Sequence, residues 1–271
     1  MLIANVTAKI PFLEHFLWTE VDTQGLYWID IHTGELHLEK WPAKVTTIRA
    51  PSQIIPPPDY HYVEEAQMVD IEALKQVLSQ SVSRRIHHTG HFHPEAPVAL
   101  LFSGGLDSAV LAAITHLQLA PECAIDLINV SFGDTPQVCN AAPDRKTGLA
   151  SYQDLQSAFP ERTWNFINVD ISKAELEEQS PHIGRLVYPQ NTLMDMSIAA
   201  PLWFAARGSG MLASTLQPYT SEARVLLVGS GADEQFAGYG RHRVHWKMHG
   251  WEGLQAELEM DTARLWRRNL G

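Results

Sequence analysis

A chain of 271 residues, 45% of them hydrophobic, can bury one full α/β domain and an N-terminal appendage. Its formal net charge of −11 argues against nucleic acid as a partner, because neutralising phosphates needs concentrated Lys and Arg. Two cysteines, Cys123 and Cys139, make no disulfide framework and fit a reducing compartment; with no signal peptide and no apolar span of about 20 residues, the expectation is a soluble cytoplasmic protein without membrane contact.

The first pattern along the chain is hairpin-like. Gly25–Ile31 is rich in strand formers, His32-Thr33-Gly34 supplies a turn, and Glu35–Leu38 returns. Ile54–Asp59 contains three consecutive prolines, which favour extended geometry and continue neither helix nor sheet, so a domain boundary is expected there. Val69–Ile86 then places Ile71, Leu74, Val77, Leu78 and Val82 at the spacing of one buried helix face. His87, His88, His91 and His93 lie close enough to bind a metal, but no cysteine accompanies them and Pro94 points to a solvated connector.

The apolar run Pro97–Phe102, the turn Ser103-Gly104-Gly105-Leu106-Asp107-Ser108 and the apolar run Ala109–Ile114 read as strand, turn and helix. Two glycines let the turn approach a ligand without Cβ interference. The first helical turn leaves N–H groups unpaired with the positive end of the dipole behind them, so the stretch suits a phosphate. Ser103 and Ser108 add hydroxyls, and the Asp107 carboxylate would repel a bare polyphosphate, which argues for Mg²⁺ between them. The alternative is an ordinary strand-to-helix turn with a serine cap.

Ala124–Phe132 and Thr163–Val169 read as further strands, and Ala142-Pro143-Asp144-Arg145 opens a helix that includes Ala150, Tyr152 and Leu155. Met194–Leu212, interrupted by Pro201, Gly208 and Gly210, reads as apolar helix. Arg224–Val228 is another strand, followed by the turn Gly229-Ser230-Gly231 and the acidic helix start Ala232-Asp233-Glu234. Asp107 and Asp233, each following a strand end, are expected to share one magnesium at the carboxyl edge of a parallel sheet. The alternative makes Asp233 and Glu234 plain charges at a helix start. Trp251–Arg268 reads as a last helix with Leu254, Leu258, Thr262 and Leu265 near one face.

Ser103–Ser108 resembles the pyrophosphate loop of the ATP pyrophosphatases and lacks the Lys-Ser/Thr pair of a Walker A loop. Gly229–Tyr239 resembles the Gly-x-Gly-x-Asp-Glu-x-x-x-Gly-Tyr signature of the asparagine synthetase family, and Gly238-Tyr239-Gly240-Arg241-His242 looks most like a divergent eukaryotic branch of it. The resemblance covers about residues 95–270. It implies an α/β fold with a doubly wound parallel sheet, cleavage of ATP to AMP and pyrophosphate, and an acyl-adenylate formed by attack of a carboxylate or carbonyl oxygen on the α-phosphorus. It further implies that Ser103, Gly104, Gly105 and Ser108 hold the β- and γ-phosphates. Phe102, Phe132, Val228 and Gly229 complete the nucleotide site, and Asp107 and Asp233 hold Mg²⁺. Aspartate is the implied acceptor and asparagine the implied product.

Departures from the family pattern narrow these expectations. Ser230 stands where the family has a glutamate that manages protons during ammonia attack, and serine is no general base near neutral pH without an activating partner. Val228 replaces a family serine. The chain begins Met1-Leu2-Ile3 rather than with a nucleophilic cysteine, so ammonia is expected from a source outside it. Residues 1–53 are therefore expected to be the remnant of an amidotransferase-like β domain, or else an unrelated β cap. Residues 54–94 are expected to be a proline-rich linker and leading helix, and 95–271 an ATP-binding domain truncated at its C-terminus, where the family continues into a lysine-bearing substrate pocket. Three functions follow in order: a synthetase forming β-aspartyl-AMP for amidation, a nucleotide-binding pseudoenzyme acting through protein partners, and a tRNA-modifying ATP pyrophosphatase. The last is opposed by the acidic charge and the lack of a Cys-x-x-Cys element.

Overall fold

Short apolar runs supply the parallel strands of this fold, because a strand covered by helices on both faces reads as near-continuous hydrophobic sequence. The computed structural model describes residues 25–30, 32–40, 65–87, 98–188 and 191–268. In chain order the elements are β1 (Gly25–Ile29), β2 (Leu36–Lys40), α1 (Glu65–His87), β3 (Val98–Leu101), α2 (Leu106–Gln118), β4 (Ile125–Phe132), α3 (Pro136–Ala141), α4 (Pro143–Ala158), β5 (Trp164–Ile171), α5 (Lys173–Val187), α6 (Leu193–Ala206), β6 (Ser209–Leu212), β7 (Pro218–Thr220), β8 (Leu226–Leu227), α7 (Ala232–Phe236) and α8 (Gly240–Arg268). Two compact units result, the larger built on Val63–Gly229 and the smaller on Pro11–Tyr62 with Ser230–Gly271. The division at Gly229 and Ser230 falls inside the segment 95–271. The expected boundaries at 53/54 and 94/95, the three prolines, and His88, His91 and His93 lie outside the described residues.

In the larger unit a six-stranded sheet has the order β7-β6-β5-β4-β3-β8. Strands β5, β4, β3 and β8 are parallel, and β6 and β7 extend one edge antiparallel. Register pairs Val98 with Ile125, Ile125 with Trp164, and Leu100 with Leu227. One core joins Val98, Leu100, Phe102, Leu127 and Phe166 to Val82 and Ile86 of α1, Ala112 and Ile114 of α2, and Leu155 of α4. A second core joins Ala99, Ile128, Ile167 and Val169 to Ile183 of α5 and to Ala200, Phe204 and Ala205 of α6. Helices on both faces of a parallel-dominated sheet make the doubly wound α/β class expected from the sequence. The chain runs from β3 through β4 to β5 and then returns to β8 on the other side of β3. That reversal leaves a crevice at the carboxyl ends of β3 and β8, the place where open sheets of this class hold ligands.

Two helices differ from expectation. In α1 the packed row is the partly buried Leu78 with the buried Val82 and Ile86, spaced i, i+4, i+8, whereas Ile71, Leu74 and Val77 are 55%, 43% and 63% exposed. A single periodic stripe therefore divides into a packed C-terminal ridge and an open N-terminal one. The apolar segment after Met194 is helical only to Ala206, with Pro201 retained inside α6. Gly208, at φ 66°, turns the chain into β6. Gly210 then lets β6 approach β5 so closely that a Cβ would stand 2.4 Å from the Asn168 carbonyl oxygen. The approach favours pairing with β5 over further helix.

Asp126, fully buried on β4, accepts a hydrogen bond from Asn165 at 2.8 Å and is contacted by the Tyr219 hydroxyl at 3.2 Å. Burial pushes this carboxyl up, against hydrogen bonds from Ser221, Asn165 and Tyr219 that favour its charged form. Burial and the Asp126 charge together push the Tyr219 phenol up to about 12. Because the folded-state value of Asp126 lies above the unfolded one, the folded chain binds more proton between the two. The carboxylate thus costs stability above the folded value and nothing below the unfolded value. Asp126→Asn is expected to raise stability at neutral pH by ~1 kcal/mol, the gain shrinking toward zero as pH falls toward about 4. Urea unfolding midpoints over a pH series read this, and a gain independent of pH would contradict it.

In the smaller unit β1 and β2 pair antiparallel, Gly25 opposite Lys40 and Ile29 opposite Leu36, which gives the expected hairpin. The Asp30 carboxylate accepts from the His32 and Thr33 amides at 2.7 and 3.1 Å, and Trp28 stacks on its cross-strand partner His37. The last helix begins at Gly240 rather than near Trp251, and α8 is interrupted at Gly250, which has non-helical φ and ψ.

Candidate functional site

Phe102 directly follows β3 and is fully buried, its N–H bonded to the Ile128 carbonyl at 2.8 Å, and the chain then turns through Ser103, Gly104 and Gly105 into α2. Gly104 adopts φ 80°, and a Cβ there would stand 2.4 Å from Gly148 N and from the Thr147 carbonyl carbon and oxygen. Only glycine lets the loop lie so close to the α4 backbone. Ser108 is 6% exposed and braces the turn from inside: its Oγ accepts from the Gly104 N–H at 3.1 Å and donates to the Gly105 carbonyl at 2.9 Å. Ser103 is exposed, and its Oγ accepts from the Gly105 N–H at 3.3 Å, leaving the hydroxyl proton to donate outward.

Gly105 caps α2 without any side-chain hydrogen bond, and the ladder begins with Ala109 N–H to the Gly105 carbonyl at 3.0 Å. Among the described residues the N–H groups of Leu106, Asp107 and Ser108 meet no acceptor, as the start of a helix requires. Asp107 sits exposed in this first turn. An uncapped helix start beside a hard carboxylate oxygen has the donor set of a magnesium-bound polyphosphate, so the residues present fit that group.

Neighbouring elements hold the loop from behind. The Ser151 hydroxyl donates to the Gly104 carbonyl at 2.7 Å. The Asn129 amide donates to the Phe102 carbonyl at 2.8 Å and to the Asp144 carbonyl at 3.0 Å. At the end of β8, a Cβ on Gly229 would stand 3.3 Å from Asp107 Cβ, which brings Val228 and Gly229 over the first turn of α2. Phe132 ends β4 partly exposed, packed edge-to-face on Phe204 with ring centroids 6.0 Å apart.

The larger unit thus gathers Phe102, Ser103, Gly104, Gly105, Asp107, Ser108, Val228 and Gly229 at one crevice, with Phe132 at the end of the adjoining strand. Asn129, Gly148 and Ser151 support the loop and were not singled out from sequence. The available signal for Asn129 was a polar side chain inside the apolar run Ile125–Phe132. Ser230 and Asp233 belong to the smaller unit, and their expected roles rest on the sequence alone.

Within the smaller unit Gly231, at φ 97°, opens α7, and the Asp233 carboxylate lies against Gly238, where a Cβ would stand 1.8 Å from Oδ1. Glu234 is buried and accepts from the Tyr239 hydroxyl at 2.8 Å; burial, then this bond and the Glu234 charge, push the phenol up to about 12. Arg241 lies over the Tyr239 ring, pairs with Glu257 at 3.4 Å and bonds Asp261, whose Oδ2 also meets His242 Nε2 at 2.9 Å. Burial would raise the Asp261 carboxyl, but the bonds from His242 and Arg241 and the charges of Arg241 and Arg264 outweigh it and hold it below the usual range. Tyr239, Arg241 and His242 therefore tie α7 to α8 locally.

Residues 73–270 match the asparagine synthase family model. The chain is 36% identical to asparagine synthetase domain-containing protein 1 of Gallus gallus over 78% of its own length and 41% of that protein. It is 37% identical to the Homo sapiens protein of the same name over 65% and 34%. A putative glutamine-hydrolyzing asparagine synthetase of Methanocaldococcus jannaschii is 24% identical over 89% and 41%. The chain thus spans no more than 41% of the length of these relatives. An NH3-dependent NAD synthetase from Campylobacter jejuni aligns over 61% of each chain at 16% identity with a TM-score of 0.33, so the fold class rests on the strand order itself. Among the described residues no helix is long and apolar enough to cross a membrane.

Proposed function

The chain belongs to the asparagine synthase family, and on that footing we propose that it binds ATP with Mg²⁺ at the Ser103–Ser108 loop and, within the whole protein, supports adenylation of an amino-acid carboxylate. The observation that carries this reading is the uncapped start of α2 behind a turn too close to α4 for any Cβ at Gly104. The N–H groups of Leu106, Asp107 and Ser108 and the Ser103 hydroxyl point the site toward phosphate oxygens, while Ser108 Oγ keeps the turn in shape. Asp107 is the carboxylate that would hold magnesium, which supplies charge neutralisation at the phosphates. Asp233 is carried as a second magnesium carboxylate from the sequence only.

The reaction this reading assigns is attack of the aspartate side-chain carboxylate on the α-phosphorus, forming β-aspartyl-AMP and releasing pyrophosphate. Ammonia then displaces AMP and leaves asparagine. Nucleotide binding without catalysis is the second reading, and one observation favours it: the exposed Ser230 hydroxyl stands where the family resemblance places a glutamate. Exchange of labelled pyrophosphate into ATP separates the two. Aspartate-dependent exchange by the full-length protein, lost in Asp107→Asn, is the expected result. Absence of exchange despite Mg·ATP binding would establish the second reading instead.

A further inference from the structure

Arg145, the third residue of α4, is 0% exposed, a rare state for a guanidinium. Its Nε donates to Asn129 Oδ1 at 2.7 Å, and its Nη2 to the Asn129 carbonyl at 3.4 Å and to Asp170 Oδ1 at 2.7 Å. Its Nη1 is buried without a partner among the described residues. A buried cation with an unmatched donor costs stability, and packing alone would be better served by an apolar side chain of similar volume. The arrangement has a geometric consequence, however. Arginine carries only donors, so Asn129 must turn its amide oxygen toward Arg145 and its NH2 toward the Phe102 and Asp144 carbonyls.

Resting on the phosphate-loop reading above, we propose that Arg145 is a positioning residue for that loop. It fixes the Asn129 amide, which grips the strand at Phe102, one residue before Ser103, and ties the start of α4 to the same point. Because Gly104 packs directly on Thr147 and Gly148, and a Cβ on Gly148 would stand 2.7 Å from Asn129 Nδ2, the loop and α4 have little room to shift independently. The Arg145–Asn129 fork therefore sets where the N–H groups of Leu106, Asp107 and Ser108 point. Lysine at 145 keeps the charge and can still reach a carboxylate, but it lacks the planar fork that orients the amide.

Arg145→Lys is expected to keep a cooperative thermal melt while raising the Kd of Mg·ATP and of Mg·pyrophosphate about tenfold, with adenosine affinity unchanged. Asp170→Asn removes the carboxylate charge but keeps the Arg145–Asn129 fork, so it is expected to lower Tm and leave the Mg·ATP Kd unchanged. Equal weakening of adenosine and pyrophosphate, or unchanged Mg·ATP affinity in Arg145→Lys, would overturn the proposal. Wild-type chain that binds no Mg·ATP would overturn the nucleotide reading instead. Positioning is then judged from backbone amide resonances of Ser103–Ser108, expected to move in Arg145→Lys and not in Asp170→Asn, and resonances that stay in place in Arg145→Lys would overturn it.

Discussion

Arg162→Ala is expected to destabilise the larger unit by about 2–4 kcal/mol, the order expected for losing hydrogen bonds from a buried charged donor. Arg162 is 5% exposed, and its guanidinium gathers the end of α2 and the turn that follows. Nη2 donates to the His116 and Leu119 carbonyls, each at 3.0 Å, and Nη1 to the carbonyls of Ala120, Pro121 and Cys123. Nε donates to His116 Nδ1 at 3.0 Å, which requires that nitrogen to be unprotonated. Burial, then the Arg162 charge, lowers the His116 value accordingly. The last carbonyls of a helix have no partner within it, and here one side chain from the turn before β5 reaches those at the end of α2 and beyond. Its loss would strip this donor from the buried Leu119 and Cys123 carbonyls and loosen the entry into β4. Calorimetric melting should show Tm lowered by roughly 10 °C, with only partial recovery in Arg162→Lys, which offers three donors from a single point. A shift of about 2 °C or less would mean that the clamp contributes little.

Local chemistry made much of this fold legible. The apolar runs that became β3, β4 and β5, the glycine pair after Phe102 and the proline that opens α4 each read correctly because their signal lies within a few residues. Boundaries set by tertiary pairing did not read correctly. Ser209–Leu212 continues an apolar stretch in sequence, yet it becomes a strand because Gly208 reverses the backbone and Gly210 admits the neighbouring strand. Ile71, Leu74 and Val77 obey helical spacing but fall where the described residues provide no cover. At the candidate site the loop residues were visible as a motif, whereas Asn129, Arg145 and Ser151 act through hydrogen bonds to residues 15 to 47 positions away, which no local pattern encodes.

Gly104→Ala should produce the largest effect on ligand binding. A left-handed φ of 80° alone costs an alanine about 1–2 kcal/mol, and the added Cβ would meet three backbone atoms of α4 at 2.4 Å. Backbone cannot give way as a flexible side chain would, so the loop must withdraw from α4 and with it lose the Ser151 and Asn129 hydrogen bonds. The first-turn N–H groups of α2 then lose their aim, and a displacement of about 1 Å in such a site is worth on the order of 100-fold in function. The core beneath, built on Val98, Leu100, Leu127 and Phe166, is not touched by this change.

Calorimetric titration of the chain with Mg·ATP reads whether Ser103–Ser108 is a phosphate cradle without depending on turnover. Saturable binding at one site is expected, weakened when magnesium is chelated or when the exposed Asp107 is replaced by Asn, and lost in Gly104→Ala whose far-ultraviolet circular dichroism is unchanged. No saturable heat from the folded wild-type chain at millimolar Mg·ATP, or equal affinity in wild type and Gly104→Ala, would contradict it.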